Sequence, residues 1–162
     1  MLRALIWDVD GTLAETEALG HRVAFNRAFE EAGLPWRWGV AEYAELLEVA
    51  GGRERILADL PCRADAPAGA AEREALARRL HQRKNAIYAE LVAQGGIAAR
   101  PGVLRLMHEC HAVGVALAIA TTTSRHNVDA LLRSLLGTCW EERFAAVVCA
   151  EDAPVKKHDP LV

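Results

Sequence analysis

The sequence predicts an α/β fold, a doubly wound (Rossmann-like) parallel sheet interrupted by an inserted α-helical block. Three observations carry this. A short apolar segment at the N-terminus runs into Asp8-Val9-Asp10-Gly11. A second apolar run, residues 115–121, ends in Thr121-Thr122-Thr123-Ser124 and is followed by helical periodicity. Between them, residues 16–96 read only as helices and turns, so strand-helix units bracket an all-helical insertion. The expected division is a discontinuous core, 1–15 with 97–162, and a helical cap, 16–96.

Taken in order, residues 2–8 form the first strand. Alternate side chains of a strand share a face, so Asp8 and Asp10 converge at its C-terminal end, where open α/β sheets place their ligands. Gly11 permits the sharp turn that follows. Residues 16–33 have helical spacing in Val23, Ala24, Phe25, Ala28, Phe29 and Ala32, stopped by Gly33-Leu34-Pro35. Residues 40–49 and 53–60 are two further helices, the second after Gly51-Gly52. Pro and Gly mark residues 61–71 as a loop. Residues 72–93 are a long helix closed by Gly95-Gly96. Pro101-Gly102 opens a helix to about residue 113. The unbroken apolar run 115–121 is the pattern of a strand buried on both faces of its sheet. A helix over 126–136 and a third strand over 145–150 complete the reading.

Composition narrows the classes. The 162 residues are 52% apolar, enough to build a packed core, which excludes a disordered chain. A net charge of −3 gives no general attraction to nucleic acid or to anionic membranes. The longest apolar run, 112–120, is too short to span a bilayer. The N-terminal apolar run stops at Asp8, which does not suit a signal peptide. Cys62, Cys110, Cys139 and Cys149 show no Cys-x-x-Cys spacing and read as reduced thiols of a cytoplasmic protein.

The chemistry is concentrated in a few places. Paired carboxylates suit Mg²⁺, which prefers hard oxygen ligands, or a nucleophile beside an acid/base; Asp-x-Asp-Gly is also ordinary turn chemistry. Hydroxyls at the end of a strand, next to a helix N-terminus, make a phosphate cradle, and equally a helix N-cap. His81, Lys84 and Tyr88 are spaced to share one helix face and suit a phosphorylated polyol. Arg53 and Arg55 flank Gly51-Gly52 and could grip a second phosphate, or lie solvated on an Arg-rich helix. His21 could cap, pack or touch a ligand. Lys156-Lys157 reads by itself as a solvated charge pair in a loop.

Asp8-Val9-Asp10-Gly11-Thr12-Leu13 resembles the first motif of the haloacid dehalogenase superfamily, Thr121 its second, and Lys157 its third, with His158 standing where that family has proline. The helical block resembles the small cap of the phosphoglycolate phosphatase and β-phosphoglucomutase branch. It is closer still to the CbbY-like subgroup, which dephosphorylates xylulose and ribulose 1,5-bisphosphates. The residues carrying this are Ala14-Glu15-Thr16-Glu17, Gly20-His21-Arg22 with Phe25-Asn26, Glu45-Leu46-Leu47, Gly51-Gly52-Arg53-Glu54-Arg55-Ile56, His81 with Lys84 and Tyr88, and Leu91-Val92 through Arg100-Pro101-Gly102-Val103.

The resemblance implies a Mg²⁺-dependent phosphatase acting on a small sugar phosphate. Asp8 would be the nucleophile and Asp10 the acid/base, with Mg²⁺ held by Asp8 and the backbone carbonyl of Asp10. Gly11, Thr12, Thr121, Thr122 and Thr123 would bind the phosphate and Lys157 would neutralise it. Thr16, His21, Gly52, Arg53, Arg55, His81, Lys84 and Tyr88 would select the substrate. A phosphosugar mutase and a non-catalytic remnant are the alternatives. The superfamily's acidic fourth motif is not reached by Val162. The chain therefore reads as a C-terminally truncated member of a family whose full-length form is monomeric. Alone it is expected to bind Mg²⁺ weakly, to turn over little, and to self-associate through the exposed edge of its first strand, with Glu151 and Asp152 the nearest substitutes for the missing ligand.

Overall fold

The computed structural model describes residues 2–152. Three parallel strands, β1 (Ala4–Trp7), β2 (Ala116–Ala120) and β3 (Ala146–Val148), stand side by side in that order. Leu5 lies opposite Leu117, and Ile119 opposite Val147. Parallel neighbours require crossover connections. The helix α5 (Val103–Ala112) leads into β2, and α6 (Arg125–Leu136) joins β2 to β3. The helices α1 (Arg22–Glu31), α2 (Val40–Leu46), α3 (Gly52–Asp59) and α4 (Ala70–Ala93) fill the span between β1 and α5.

One face of the sheet is dry. Trp7, Leu117 and Ile119 are buried with Val103, Met107 and Cys110 of α5 and with Val128, Leu131 and Leu132 of α6. The other face differs from expectation. Ile6 is 68% exposed, Ala116 is exposed, and Ala118 and Ala120 are half-buried. Among the described residues, then, the unbroken apolar run is a strand with one covered face. Both crossover helices pack on the same side, and among the described residues none covers the other. Apart from Ile6, the β1 and β2 side chains on that face are alanines, which leave little apolar area in water.

A second cluster lies in the helical block, where Phe25, Phe29, Trp36, Trp38, Tyr43, Ile56, Leu60 and Leu80 are buried together. Trp38 is its centre. Its ring centroid lies 4.6 Å from that of Phe25 and 4.9 Å from that of Phe29, and its indole N–H donates to Asp59 at 2.9 Å. Helices α1 and α4 serve both clusters, with Ala24, Ala28, Ile87, Tyr88 and Val92 turned to the first and Phe25, Phe29, Leu76 and Leu80 to the second. Two chain crossings join block and sheet. Ala14 bridges Ala99, and the Arg100 N–H donates to the Leu13 carbonyl at 2.8 Å.

The helix expected over 16–33 begins with a π-helical turn, Glu17–His21, before α1. The wider turn is built around Gly20. A Cβ there would stand 2.6 Å from Ile97 Cδ1 and 2.8 Å from Tyr88 Cε2, so only glycine lets this turn sit against α4. The loop 61–71 also differs slightly, since Leu60–Cys62 forms a 3₁₀ turn and α4 starts at Ala70.

Candidate active site

Because the strands are parallel, their C-terminal ends open on one side, and the chain turns there three times. After β1, Val9 and Leu13 are buried, and the Val9 carbonyl accepts the N–H groups of Thr12 and Leu13 at 3.2 and 2.9 Å. Gly11 takes φ of 70° and donates its N–H to Ala14. This tight turn, anchored by its apolar residues, presents Asp8 and Asp10 to a cleft of about 360 Å³. After β2, residues 121–124 line the same cleft, and after β3, Ala150 and Glu151 do so. The helical block closes the opposite side with Glu17, His21, Gly52, Arg55, His81 and Lys84.

Asp10 is the most connected group. Its Oδ1 accepts the Thr16 hydroxyl at 2.6 Å and faces His21 Nε2 at 3.0 Å, and its Oδ2 accepts the Thr123 hydroxyl. Burial alone would raise this carboxyl. The His21 imidazole opposite it, with the hydrogen bonds from His21, Thr123 and Thr16, outweighs burial and holds it below the usual carboxylate range. The other ring nitrogen of His21 lies 3.0 Å from Lys84 Nζ. Two nitrogens at that distance share one hydrogen bond, so one donates and the other accepts. The result is a chain, Asp10–His21–Lys84, running from the sheet into the helical block. Tyr88 stacks on His21 with ring centroids 4.2 Å apart, and Lys84 Nζ lies over the Phe25 and Tyr88 rings at 5.0 and 5.4 Å.

Burial pulls Lys84 down to about 8, against the raising influence of Asp10 and Glu17, with Arg55 adding slightly to the lowering. Burial, with Lys84 alongside, pulls His81 down to about 4, so its imidazole is neutral near pH 7. The Lys84 shift has a measurable sign. Between about pH 8 and 10.5 the unfolded chain holds a proton on this side chain that the folded chain has released, so stability rises with pH across that window. Lys84→Met should flatten this rise. Comparing urea midpoints of the wild type and the variant through the window should show a difference equivalent to a few kcal/mol. Parallel profiles would place the Lys84 ammonium in a solvated setting.

Several expected site residues are placed differently. Thr16 is fully buried and reaches the cleft only through Asp10. Gly11 and Thr12 shape the turn without lining the cleft, and the Gly11 carbonyl accepts from the Arg100 guanidinium. Tyr88 lies behind His21, because the π-turn interposes the imidazole. The paired grip expected of Arg53 and Arg55 is not formed. Arg53 is held by Glu54 and Glu74 at 3.1 and 2.8 Å, outside the cleft. Arg55 lines the cleft, but its guanidinium donates to the Leu46 and Val49 carbonyls and to the Tyr43 hydroxyl, bracing the chain that follows α2. Nearby acceptors within the fold have claimed both forks. Lys156, Lys157 and His158 lie outside the described residues.

The structure adds Glu17, Glu54 and Asn127 to the cleft. Glu17 accepts the Tyr43 hydroxyl at 2.7 Å, and its spacing of four from His21 was a readable signal. Asn127 donates to Asn85 Oδ1 at 3.2 Å and ties α6 to α4, which no local pattern announces.

The donor chemistry of the cleft fits a hard divalent cation. Asp8, Asp10, Glu17, Glu54 and Glu151 face only Arg55 and Lys84 among the described lining residues. Such an excess of carboxylate repels a phosphate dianion unless a cation intervenes. Among the described residues no three His, Cys, Asp or Glu side chains converge as a ready ligand set. Both Asp10 carboxylate oxygens are engaged by side chains of the fold.

A family model for haloacid dehalogenase-like hydrolases matches residues 2–162. The chain belongs to the haloacid dehalogenase-like hydrolase family. Within it, the chain is similar to the plasmid-borne CbbY protein of Cupriavidus necator, 45% identical over 161 residues that make up 99% of this chain and 63% of that protein. The crystal structure of CbbY from Rhodobacter sphaeroides in complex with phosphate matches with a TM-score of 0.85 at 40% identity, over 96% of this chain and 67% of that one. A mutant of the same protein in complex with xylulose-(1,5)bisphosphate matches with a TM-score of 0.85 at 39% identity, over the same shares. The chain thus spans about two thirds of the length of these relatives. The three-stranded parallel sheet with its helices is the Rossmann-like arrangement of this family. No helix among the described residues is long and apolar enough to cross a membrane.

Proposed function

We propose that the protein hydrolyses a phosphate ester of a small phosphorylated sugar, of the xylulose or ribulose 1,5-bisphosphate class, through an aspartyl-phosphate on Asp8, with residues 16–96 acting as a cap over residues 1–15 and 97–162. The observation that carries this reading is the convergence in one cleft of Asp8, Asp10 and Thr121–Thr123 from the sheet with His21 and Lys84 from the helices. The likeness to a CbbY protein whose structure holds xylulose-(1,5)bisphosphate supports the substrate class.

In this mechanism a carboxylate oxygen of Asp8 attacks phosphorus and the ester P–O bond breaks. The departing sugar oxygen takes a proton from Asp10, and Asp10 later receives one from the water that hydrolyses the aspartyl-phosphate. The surroundings of Asp10 favour its ionised form, the state of the base. To act as acid it must first be protonated, and His21, whose Nε2 lies 3.0 Å from its Oδ1, is the titratable side chain in direct contact with it. The Thr121 hydroxyl accepts the Thr123 N–H at 3.2 Å, which leaves its own hydrogen for a phosphoryl oxygen. Charge neutralisation of the transferring group is what bound Mg²⁺ would supply, held by the Asp8 carboxylate and the Asp10 carbonyl, with Glu151 a further carboxylate lining the cleft. Lys157 would add a cation to the same group. The cap side chains exclude water and distinguish substrates.

The test uses the polypeptide as it occurs in the cell. Xylulose 1,5-bisphosphate with Mg²⁺ should release inorganic phosphate, and chelation with EDTA should stop release reversibly. Rearranged phosphosugar without phosphate release would identify a mutase instead. Metal-independent release would remove Mg²⁺ from the reading.

A further inference from the structure

A second cleft, of about 440 Å³, opens on the helical block and shares no lining residue with the first. Its apolar part is Val23, Leu34, Pro35 and Trp36, and its polar wall carries Arg22, Arg27 and Arg37. Glu30 is the one carboxylate among its described lining residues. Trp36 is held rigidly, since it is nearly buried and its indole N–H donates to Asp65 at 2.7 Å. Asn26, on the same wall, has both ends of its amide engaged by the backbone of Trp38.

The guanidinium groups are less well satisfied. One terminal nitrogen of Arg22 reaches the Trp38 carbonyl at 3.3 Å, but Arg22 Nε is buried and has no hydrogen-bond partner among the described residues. A buried, unanswered N–H costs free energy, and Arg22 is therefore not fully committed to the fold. Arg27 makes no hydrogen bond among the described residues; its guanidinium lies 3.7 Å from Glu90 and acts on Glu31 through its charge. Arg37 is exposed, and no described carboxylate pairs with it. Three guanidinium forks beside a fixed apolar wall recognise a particular chemistry: a planar or tetrahedral oxyanion carried on a body with an apolar face.

We propose that this cleft binds a small organic phosphate, its phosphate group received by Arg22 and Arg37 with Arg27 beside them, and its body laid against Leu34, Pro35 and Trp36. The site is separate from the candidate active site and does not depend on the reaction assigned there. A phosphosugar and a nucleotide offer the same phosphate and differ in the body, so both serve as probes.

The test follows the indole N–H resonance of Trp36, one of four tryptophans, by ¹H–¹⁵N NMR in protein carrying Asp8→Asn, without Mg²⁺. The resonance is assigned by its loss in Trp36→Phe. Addition of ADP or of ribose 5-phosphate should shift it saturably, and the tighter of the two identifies the body the wall prefers. Arg37→Gln, on an exposed side chain that holds no part of the fold, should weaken that binding by about tenfold, the order of one charge-assisted hydrogen bond. Arg22→Gln should weaken it at least as much. No saturable shift with either probe would overturn the proposal, and so would an unchanged affinity in Arg37→Gln with the fold intact.

Discussion

Asp8→Asn should abolish phosphate release, lowering kcat by about 10⁴-fold or more, as expected when a covalent nucleophile is removed. The substitution is nearly isosteric. Asparagine keeps an oxygen to accept the Val9 N–H, which Asp8 Oδ1 does at 2.8 Å, so the turn after β1 should hold its shape. What disappears is the anionic oxygen that attacks phosphorus. Transition-state mimics that complete themselves on a carboxylate, BeF₃⁻ and AlF₄⁻, should no longer be trapped. Binding of the sugar phosphate should survive, because the Thr121 hydroxyl and the cap side chains are untouched. Steady-state kinetics and trapping would be measured together on wild type and variant. A residual rate above about one hundredth of wild type would exclude Asp8 as the nucleophile, since removing a covalent nucleophile costs far more than that.

Trp38→Ala should be the most damaging change away from the cleft, costing about 3–5 kcal/mol by the usual measure for a buried aromatic. Trp38 is fully buried, it packs against Phe25, Phe29 and Tyr43, and its indole N–H answers a buried carboxylate oxygen of Asp59. Its removal leaves a cavity in the second cluster and takes one donor from Asp59, which keeps Arg63 at 2.8 Å. Against a total of about 5–15 kcal/mol for a typical protein, this is a large share. Chemical denaturation should show the midpoint falling. Because Phe25 carries the contact between this cluster and Lys84, the variant should also lose turnover on a sugar bisphosphate faster than it loses secondary structure on heating. A cost below about 1 kcal/mol would mean the block repacks freely around the gap.

The two parts of the site were legible to different degrees. The residues that local geometry controls could be read directly. A strand alternates its faces, so Asp8 and Asp10 could be placed together, and a parallel strand must end near its neighbour, so Thr121 could be placed with them. Helical spacing put His81 and Lys84 on one face, and both line the cleft. The π-turn was not legible, because its cause is the approach of Tyr88 and Ile97 to Gly20 from distant parts of the chain. The state of Asp10 was not legible either, since Thr123, one of the groups that holds it ionised, lies 113 residues away.

By itself the sequence determined what short-range periodicity and single residue types encode: strands and helices in this order, a helical block between two halves of an α/β unit, and carboxylates and hydroxyls at strand ends. Only the tertiary structure decided which of those side chains remain available. It took Arg53 into ion pairs with Glu54 and Glu74, committed Arg55 to backbone carbonyls, set Tyr88 behind His21, and linked Asp10 through His21 to Lys84. It also left one face of the sheet uncovered by the described residues. The physical reason is the same throughout. Hydrogen bonds, ion pairs and desolvation act through space between residues far apart in the chain, and no local pattern records which neighbour a side chain meets.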